Sequence, residues 1–361
     1  MDEAELQALG LYDPDDEHAA LRLELLRYLE GLGATEEDLL AWKDGLAGLA
    51  LALGIRGGRL LTFREAADRG NGDVEDLRRY WRAAGFADAE PEARVVTQAF
   101  ADLAQLLPSV ETFFGPDANL QLLRVLGASM ARVADAVVSL FLVNVEPTRR
   151  ADPVGLAIAR ANEEAAQLVP LLAPTLDVLF RQHLLVSQRP TPDQVDANAY
   201  ETRSLVVGFV DLVGSTELGE RLTLGDLGAL LTRFEHLSSD TVTGGGGRVI
   251  KHIGDEVLFT APSAASAGAI ALALAAAVDA DPDLGQVRAG LASGPVMMRD
   301  GDVFGPTVNL AARVVTAAAP GEVLVTSDLA AASGLPTEDC GSHQFKGIAG
   351  EVSLHRLVRA P

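Results

Sequence analysis

The stretch from Ser204 to Thr216 reads S-L-V-V-G-F-V-D-L-V-G-S-T, and Arg248 to Phe259 reads R-V-I-K-H-I-G-D-E-V-L-F. Each is a short apolar run that ends in a Gly-containing turn, the pattern of a buried strand entering a tight corner. Each turn carries an acid, Asp211 in the first and Asp255 in the second. One aspartate beside a glycine is usually turn chemistry alone. Two at the mouths of neighbouring strands point instead to a divalent metal site. Gly214 and the Ser215-Thr216 pair then open a helix, whose backbone N–H groups face the same mouth and suit a phosphate. A nucleoside triphosphate with Mg2+ or Mn2+ is the ligand that matches.

Working outward, the chain from about Ala197 alternates strands with helices, the signature of an α/β sandwich. The pattern predicts a strand over Leu205–Phe209, a helix over Leu224–Thr241 and a hairpin of Arg248–Ile253 with Val257–Thr260. A helix over Ala264–Val278 and a strand over Val287–Ser293 follow. After a loop around Asp302 come a helix over Val308–Ala319, a strand over Val323–Thr326 and a last strand near Val352–Leu357. Strand, helix, hairpin, helix, strand is a ferredoxin-like order. Gly244–Gly247 lacks the following Gly-Lys-Ser/Thr of a phosphate loop and reads as a flexible connection.

The other side of the chain is helical. Apolar residues recur at three- and four-residue spacing in Leu21-Leu25-Leu26-Leu29 and again through Leu39–Leu53, and Thr35-Glu36-Glu37-Asp38 reads as a capped helix start. Leu61–Phe86 resembles a helix-turn-helix, a pattern shared by DNA readers and plain bundles. Its arginines 64, 69, 78, 79 and 82 are matched by acids 65, 68, 73, 75 and 76, which favours the structural role. Helices are expected over Glu90–Phe114 and Pro116–Val145. Another stretch, Pro153–Leu185, should bend or break at Pro170 and Pro174. Pro190 and Pro192 stiffen a junction. The expected division is a helical domain over 1–150, a helical linker and Pro-rich junction over 151–195, and an α/β domain over 196–361. The class is α+β.

Composition narrows the partners. A formal net charge of -22 over 361 residues repels nucleic acid and anionic membranes, and no basic patch offsets it. The single cysteine, Cys340, excludes an intrachain disulfide, no Cys/His cluster has zinc-ligand spacing, and the chain suits a reducing, cytoplasmic setting. The N-terminus is acidic where a secretion signal is basic, and the apolar runs near Val133–Val145 and Gly268–Val278 look too short to span a bilayer. No membrane insertion is expected.

A further block, G-D-V-F-G-P-T-V-N-L-A-A-R over Gly301–Arg313, places Asn309 and Arg313 four apart on one helix face. An amide that can position a sugar and a guanidinium that can meet a phosphate leave by the same side. With this block in place, the segment from about Ser204 to Val358 closely resembles the class III nucleotidyl cyclases. G-F-V-D-L-V-G-S-T is similar to their first metal motif, K-H-I-G-D to the second, and D-V-F-G-P-T-V-N-L-A-A-R to their base-selecting and transition-state motif. Ser215 departs from the phenylalanine common there, which alters packing and no ligand.

The resemblance implies roles residue by residue. Asp211 and Asp255 would hold two ions of Mg2+ or Mn2+, helped by the Leu212 carbonyl. Lys251 and Asp302 would read the purine, Asn309 would orient the ribose, and Arg313 would stabilise the transferring phosphorus. Lys346 in F-K-G-I would bind the triphosphate tail, with Arg299 a second candidate. Lys251 donates and Asp302 accepts, which matches adenine N1 and N6, so ATP is the expected substrate and 3',5'-cyclic AMP the product. In that family the metal acids and the transition-state groups come from different subunits, which implies a homodimer.

The helical half resembles, more loosely, the regulatory domain of bacterial soluble adenylyl cyclases that respond to pH, most clearly over Ala165–Leu184. Regulation through this half is expected, with His183, Glu163, Glu164 and Asp177 as candidate proton sites and a small molecule or lipid as a possible effector. The alternative is a catalytically silent cyclase-like module attached to a helix-turn-helix-like regulator. A diguanylate cyclase, suggested by I-G-D-E-V, lacks the paired glycines before its acid pair.

Overall fold

The structure is a computed structural model, and it describes all residues except 71, 145–151, 188–193, 196–200, 215–220, 360 and 361. It divides into two compact units, Met1–Gln188 and Arg189–Pro361.

The first unit is helical: α1 Glu3–Ala8, α2 Ala19–Gly31, α3 Glu36–Ala41, α4 Leu46–Arg56, α5 Phe63–Arg69, α6 Val74–Ala83, α7 Gln98–Phe114, α8 Pro116–Asn144 and α9 Leu156–Ser187. Thr35 caps α3 as its sequence predicts, its hydroxyl accepting from Asp38 N while the Asp38 carboxylate accepts from Thr35 N. Thr62 and Glu65 repeat this box at α5. The recurring leucines close one core, in which Leu25, Leu26 and Leu29 of α2 meet Leu39, Leu46, Leu49 and the start of α9 at Leu156 and Ala159. A second core gathers Phe63, Leu77, Trp81, Val96 and Ala101.

The helix-turn-helix reading of 61–86 corresponds to α5 and α6, and three of its five arginines pair with acids inside the unit. Arg78 and Arg82 bind Asp88 at 3.1 and 3.0 Å, and Arg79 binds Asp76 at 3.2 Å and Glu111 at 3.4 Å. The helix expected over Glu90–Phe114 begins later, at Gln98. Thr97 caps it, and Val96 pairs with Leu61 in an isolated bridge.

Two expectations change here. Pro170 and Pro174 do not interrupt α9, which runs through both. A proline's fixed φ is helix-compatible, and of the two carbonyls that lose a donor, those of Ala166 and Pro170, the second lies in a solvent-exposed stretch where water can serve it. The apolar run near Val133 is also not a short one, because it continues the preceding turns in α8. Among the described residues, Pro116–Val143 is long and apolar enough to cross a membrane by length and composition. Its first turns are packed, with Leu120 and Leu123 against Tyr80, Ala83 and Leu107.

The second unit is built on a mixed sheet. Its elements are β1 Gln194–Val195, β2 Glu201–Leu212, α10 Leu224–Gly244, β3 Arg248–Ile253, β4 Glu256–Ala261, α11 Ala264–Asp279, β5 Val287–Arg299, β6 Asp302–Phe304, α12 Pro306–Ala317, β7 Val323–Thr326, α13 Ser327–Ser333, β8 Thr337–Gln344 and β9 Glu351–Leu357. The sheet order is β3-β4-β2-β5-β7-β9-β8, with β1 on β2 and β6 on β5. Its first four strands carry the ferredoxin-like order, antiparallel throughout. The central strand β2 is apolar on both faces because both are covered. Val206 and Val210 meet Phe234, Ile270 and Leu274 from α10 and α11, while Val207 and Phe209 meet Ala311 and Val315 of α12. The predicted hairpin, helices and strands all appear. Strands β1, β6 and β8 and helix α13 were not legible: the loop expected around Asp302 is instead the three-residue strand β6, and the polar, exposed residues of β8 have no alternation to betray it.

Candidate functional site

Asp211 and Asp255 converge. Asp211 is near the end of β2, opposite Glu256 on β4 and Arg288 on β5. Asp255 sits in the β3–β4 turn, where Gly254 adopts a positive φ of 65°, and its carbonyl accepts from Leu212 N at 3.1 Å. The two carboxyl groups are near enough to perturb one another. Burial pushes the Asp211 carboxyl above its ordinary value, Arg288 pulls it down and Asp255 pushes it further up. Among the described residues no set of three metal-ligating side chains converges. A carboxylate pair open to water and substrate phosphates is nevertheless what Mg2+ or Mn2+ takes, so the donor set fits such ions. The Ser215-Thr216 helix start expected beside this mouth lies outside the described residues.

Glu256 is a third acid at this mouth, and sequence reading passed over it. Burial, then the charges of Asp211 and Asp255, push it up to about 7. A carboxyl raised in the folded chain contributes stability below its unfolded value near 4.5 and loses it as pH climbs through 7. In EDTA the melting temperature of the wild-type chain should therefore fall between pH 5 and 8. Glu256→Gln should remove roughly 1 kcal/mol of that loss, after allowing for the water that still reaches the group. Parallel melting curves for the two proteins would show that Glu256 is not so perturbed.

Lys251 and Asp302 meet as well. Lys251 on β3 holds Asp302 Oδ2 at 2.5 Å, and the other carboxylate oxygen of Asp302 accepts from Val303 N at 2.8 Å. Asp302 opens β6, which folds back on the far end of β5 through Arg299. Arg299 itself lies 3.3 Å from Asp300.

Asn309 and Arg313 share the exposed side of α12, while Thr307, Ala311, Val314 and Val315 bury the other. Thr307 anchors the first turn by donating to the Pro295 carbonyl at 2.8 Å. The helix can approach β5 only because Gly290 has no side chain, since a Cβ there would lie 2.0 Å from Val315 N. Lys346 is exposed in the β8–β9 connection.

Arg288 is the other residue that sequence reading missed. Its Nε and Nη2 contact Asp211 Oδ2 at 2.7 and 2.6 Å. The signal was a lone cation in an otherwise apolar strand, V-R-A-G-L, but its partner depends on register.

Comparison with known proteins agrees with this architecture. Residues 5–188 match the family described as adenylate cyclase regulatory domain, and residues 197–355 match the adenylate and guanylate cyclase catalytic domain. A pH-sensitive adenylate cyclase of Mycobacterium tuberculosis is 32% identical over 355 residues, covering 94% of this chain and 88% of that protein. An adenylate cyclase of Streptomyces coelicolor is 36% identical over 278 residues, covering 75% of this chain and 71% of that one. The crystal structure of an adenylyl cyclase from P. aeruginosa superposes with a TM-score of 0.40 at 23% identity, covering 45% of this chain and 97% of that one. The chain therefore belongs to the class III adenylate cyclases that carry a regulatory domain ahead of the catalytic domain.

Proposed function

We propose that the chain converts ATP to 3',5'-cyclic AMP and pyrophosphate at sites shared between two copies of itself, with its helical half setting the rate. The observation that carries this reading is the separation of two pairs along one strand. Asp211 stands opposite Arg288 at the start of β5, with Asp255 beside it, and Asp302 stands opposite Arg299 at the end of β5, where it draws in the Lys251 side chain. One ATP that uses both kinds of pair is best served by the acids of one copy and the base readers of another.

Each residue then has a task. Lys251 donates to adenine N1 and Asp302 accepts from N6, the reverse of what guanine offers. Asn309 orients the ribose, and Lys346 holds the terminal phosphates. Arg313 meets the charge that grows on the phosphoryl oxygens as the 3'-oxygen attacks the α-phosphorus in line and pyrophosphate departs. Asp211, Asp255 and the Leu212 carbonyl would hold two divalent ions, Mg2+ or Mn2+, which supply Lewis-acid neutralisation of the triphosphate and a lowered pKa for the 3'-hydroxyl.

For the helical half, the proton sites named above sit along α9. Glu163 accepts from the Tyr28 hydroxyl, Asp177 holds Arg181 at 2.9 and 2.8 Å, and His183 is exposed near the helix end. A small molecule or lipid effector would act on the same helices. We place the exposed apolar side of α8 against a second copy, because Arg124, Arg132 and Asp135 interrupt it. We place the protein in the cytoplasm.

One assay tests the whole reading: nucleotide products are separated after incubation with ATP or GTP and Mn2+ across pH 5.5–8. We expect cyclic AMP to dominate, and Lys251→Ala to reduce the preference for ATP over GTP by about tenfold or more. A chain beginning at Gln194 should show a different pH profile. Faster turnover of GTP would overturn the base assignment, and identical profiles would remove the regulatory role.

A further inference from the structure

Arg288 occupies one of the two carboxylate oxygens of Asp211. It projects from β5 opposite Asp211 in the antiparallel register, and both of its contacts, at 2.7 and 2.6 Å, fall on the single oxygen Oδ2. A carboxylate oxygen offers two lone pairs, so two N–H donors engage both on Oδ2, and the Asp211 carboxyl has Asp255 as its other close neighbour. A guanidinium keeps its charge at every working pH, so the contact can be opened by movement and not by deprotonation. Such movement is available: the Arg288 side chain is 37% exposed while Asp211 is 15% exposed, so the cation has the solvent side of the pair.

We propose that Arg288 is a resident counter-ion that competes with divalent cations for Asp211. Metal entry then requires the guanidinium to leave Oδ2, and the nucleotide-free site binds ions more weakly than its carboxylates would by themselves. The proposal rests on the reading of Asp211 and Asp255 as metal ligands. It gives Arg288 a role in setting ion affinity that a merely structural clamp would not have, because loosening a clamp weakens binding whereas removing a competitor strengthens it.

The test is a Mn2+ titration of the full-length protein without nucleotide, followed by the electron paramagnetic resonance signal of the free ion. Wild type, Arg288→Gln, Arg288→Lys and Asp211→Asn are compared, the last defining binding elsewhere on this acidic protein. Arg288→Gln should bind Mn2+ about tenfold more tightly than wild type, since a positive charge beside the ion is gone. Arg288→Lys keeps the charge but loses the double contact, and should fall between the two. It also carries the test should the glutamine variant fail to fold. Unchanged or weaker binding in the folded Arg288 variants, with Asp211→Asn still removing the site, would overturn the competition and leave the metal reading intact. Unchanged binding in Asp211→Asn would overturn the metal reading itself.

Discussion

Arg313→Ala is expected to lower kcat by about 10²- to 10³-fold, equivalent to roughly 3–4 kcal/mol, while KM for ATP changes little. The physical reason lies in where the side chain stands. Arg313 is on the exposed face of α12, and no hydrogen bond or ion pair holds it among the described residues. Its removal therefore leaves the core of Val314 and Val315 untouched. A group that meets charge only as the phosphoryl oxygens gain it contributes to the transition state and not to ground-state binding. The proposed sharing of sites between two copies adds a second readout. Mixing Arg313→Ala protein with Asp211→Ala protein should restore part of the activity, because one of the two sites in a mixed dimer has every residue intact. A large rise in KM with kcat preserved would reassign Arg313 to substrate binding, and no recovery on mixing would argue that each chain completes its own site.

Gly290→Ala should unsettle the catalytic unit although it touches no site residue. The added Cβ would lie 2.0 Å from Val315 N and 2.5 Å from its Cα, and both are helix backbone that cannot rotate away. The helix must then move off the sheet, opening the layer where Ala311 and Val315 pack on Val207, Phe209 and Ala292. Overpacking of this kind costs about 3 kcal/mol, or roughly 6–12 °C in the melting temperature of a unit of this size. Asn309 and Arg313 would shift with the helix, so whatever protein remains folded should lose kcat. A variant that melts with wild type and keeps full turnover would show that the close approach of α12 is not needed.

Much of the site was legible because its residues are local. Lys251 and Asp255 belong to one hairpin and Asn309 and Arg313 to one helix face, so spacing along the chain already sets spacing in space. The strands that carry them announced themselves as unbroken apolar runs, since both sheet faces are covered. Glu256 was passed over because, next to Asp255 in a turn, it reads as one more surface acid. Only the folded sheet encloses it with two like charges.

The amino-acid order by itself determined the division into a helical half and an α/β half and the acid pair at the strand ends. Local periodicity and turn chemistry carry those choices. Tertiary structure alone decided that Arg288 would lie on Asp211, 77 residues away, because register between β2 and β5 emerges from the packing of the whole sheet. It also decided that α9 would run through two prolines and that α12 would press on Gly290. Backbone contact and solvent access at those places depend on neighbours that no local stretch of sequence specifies.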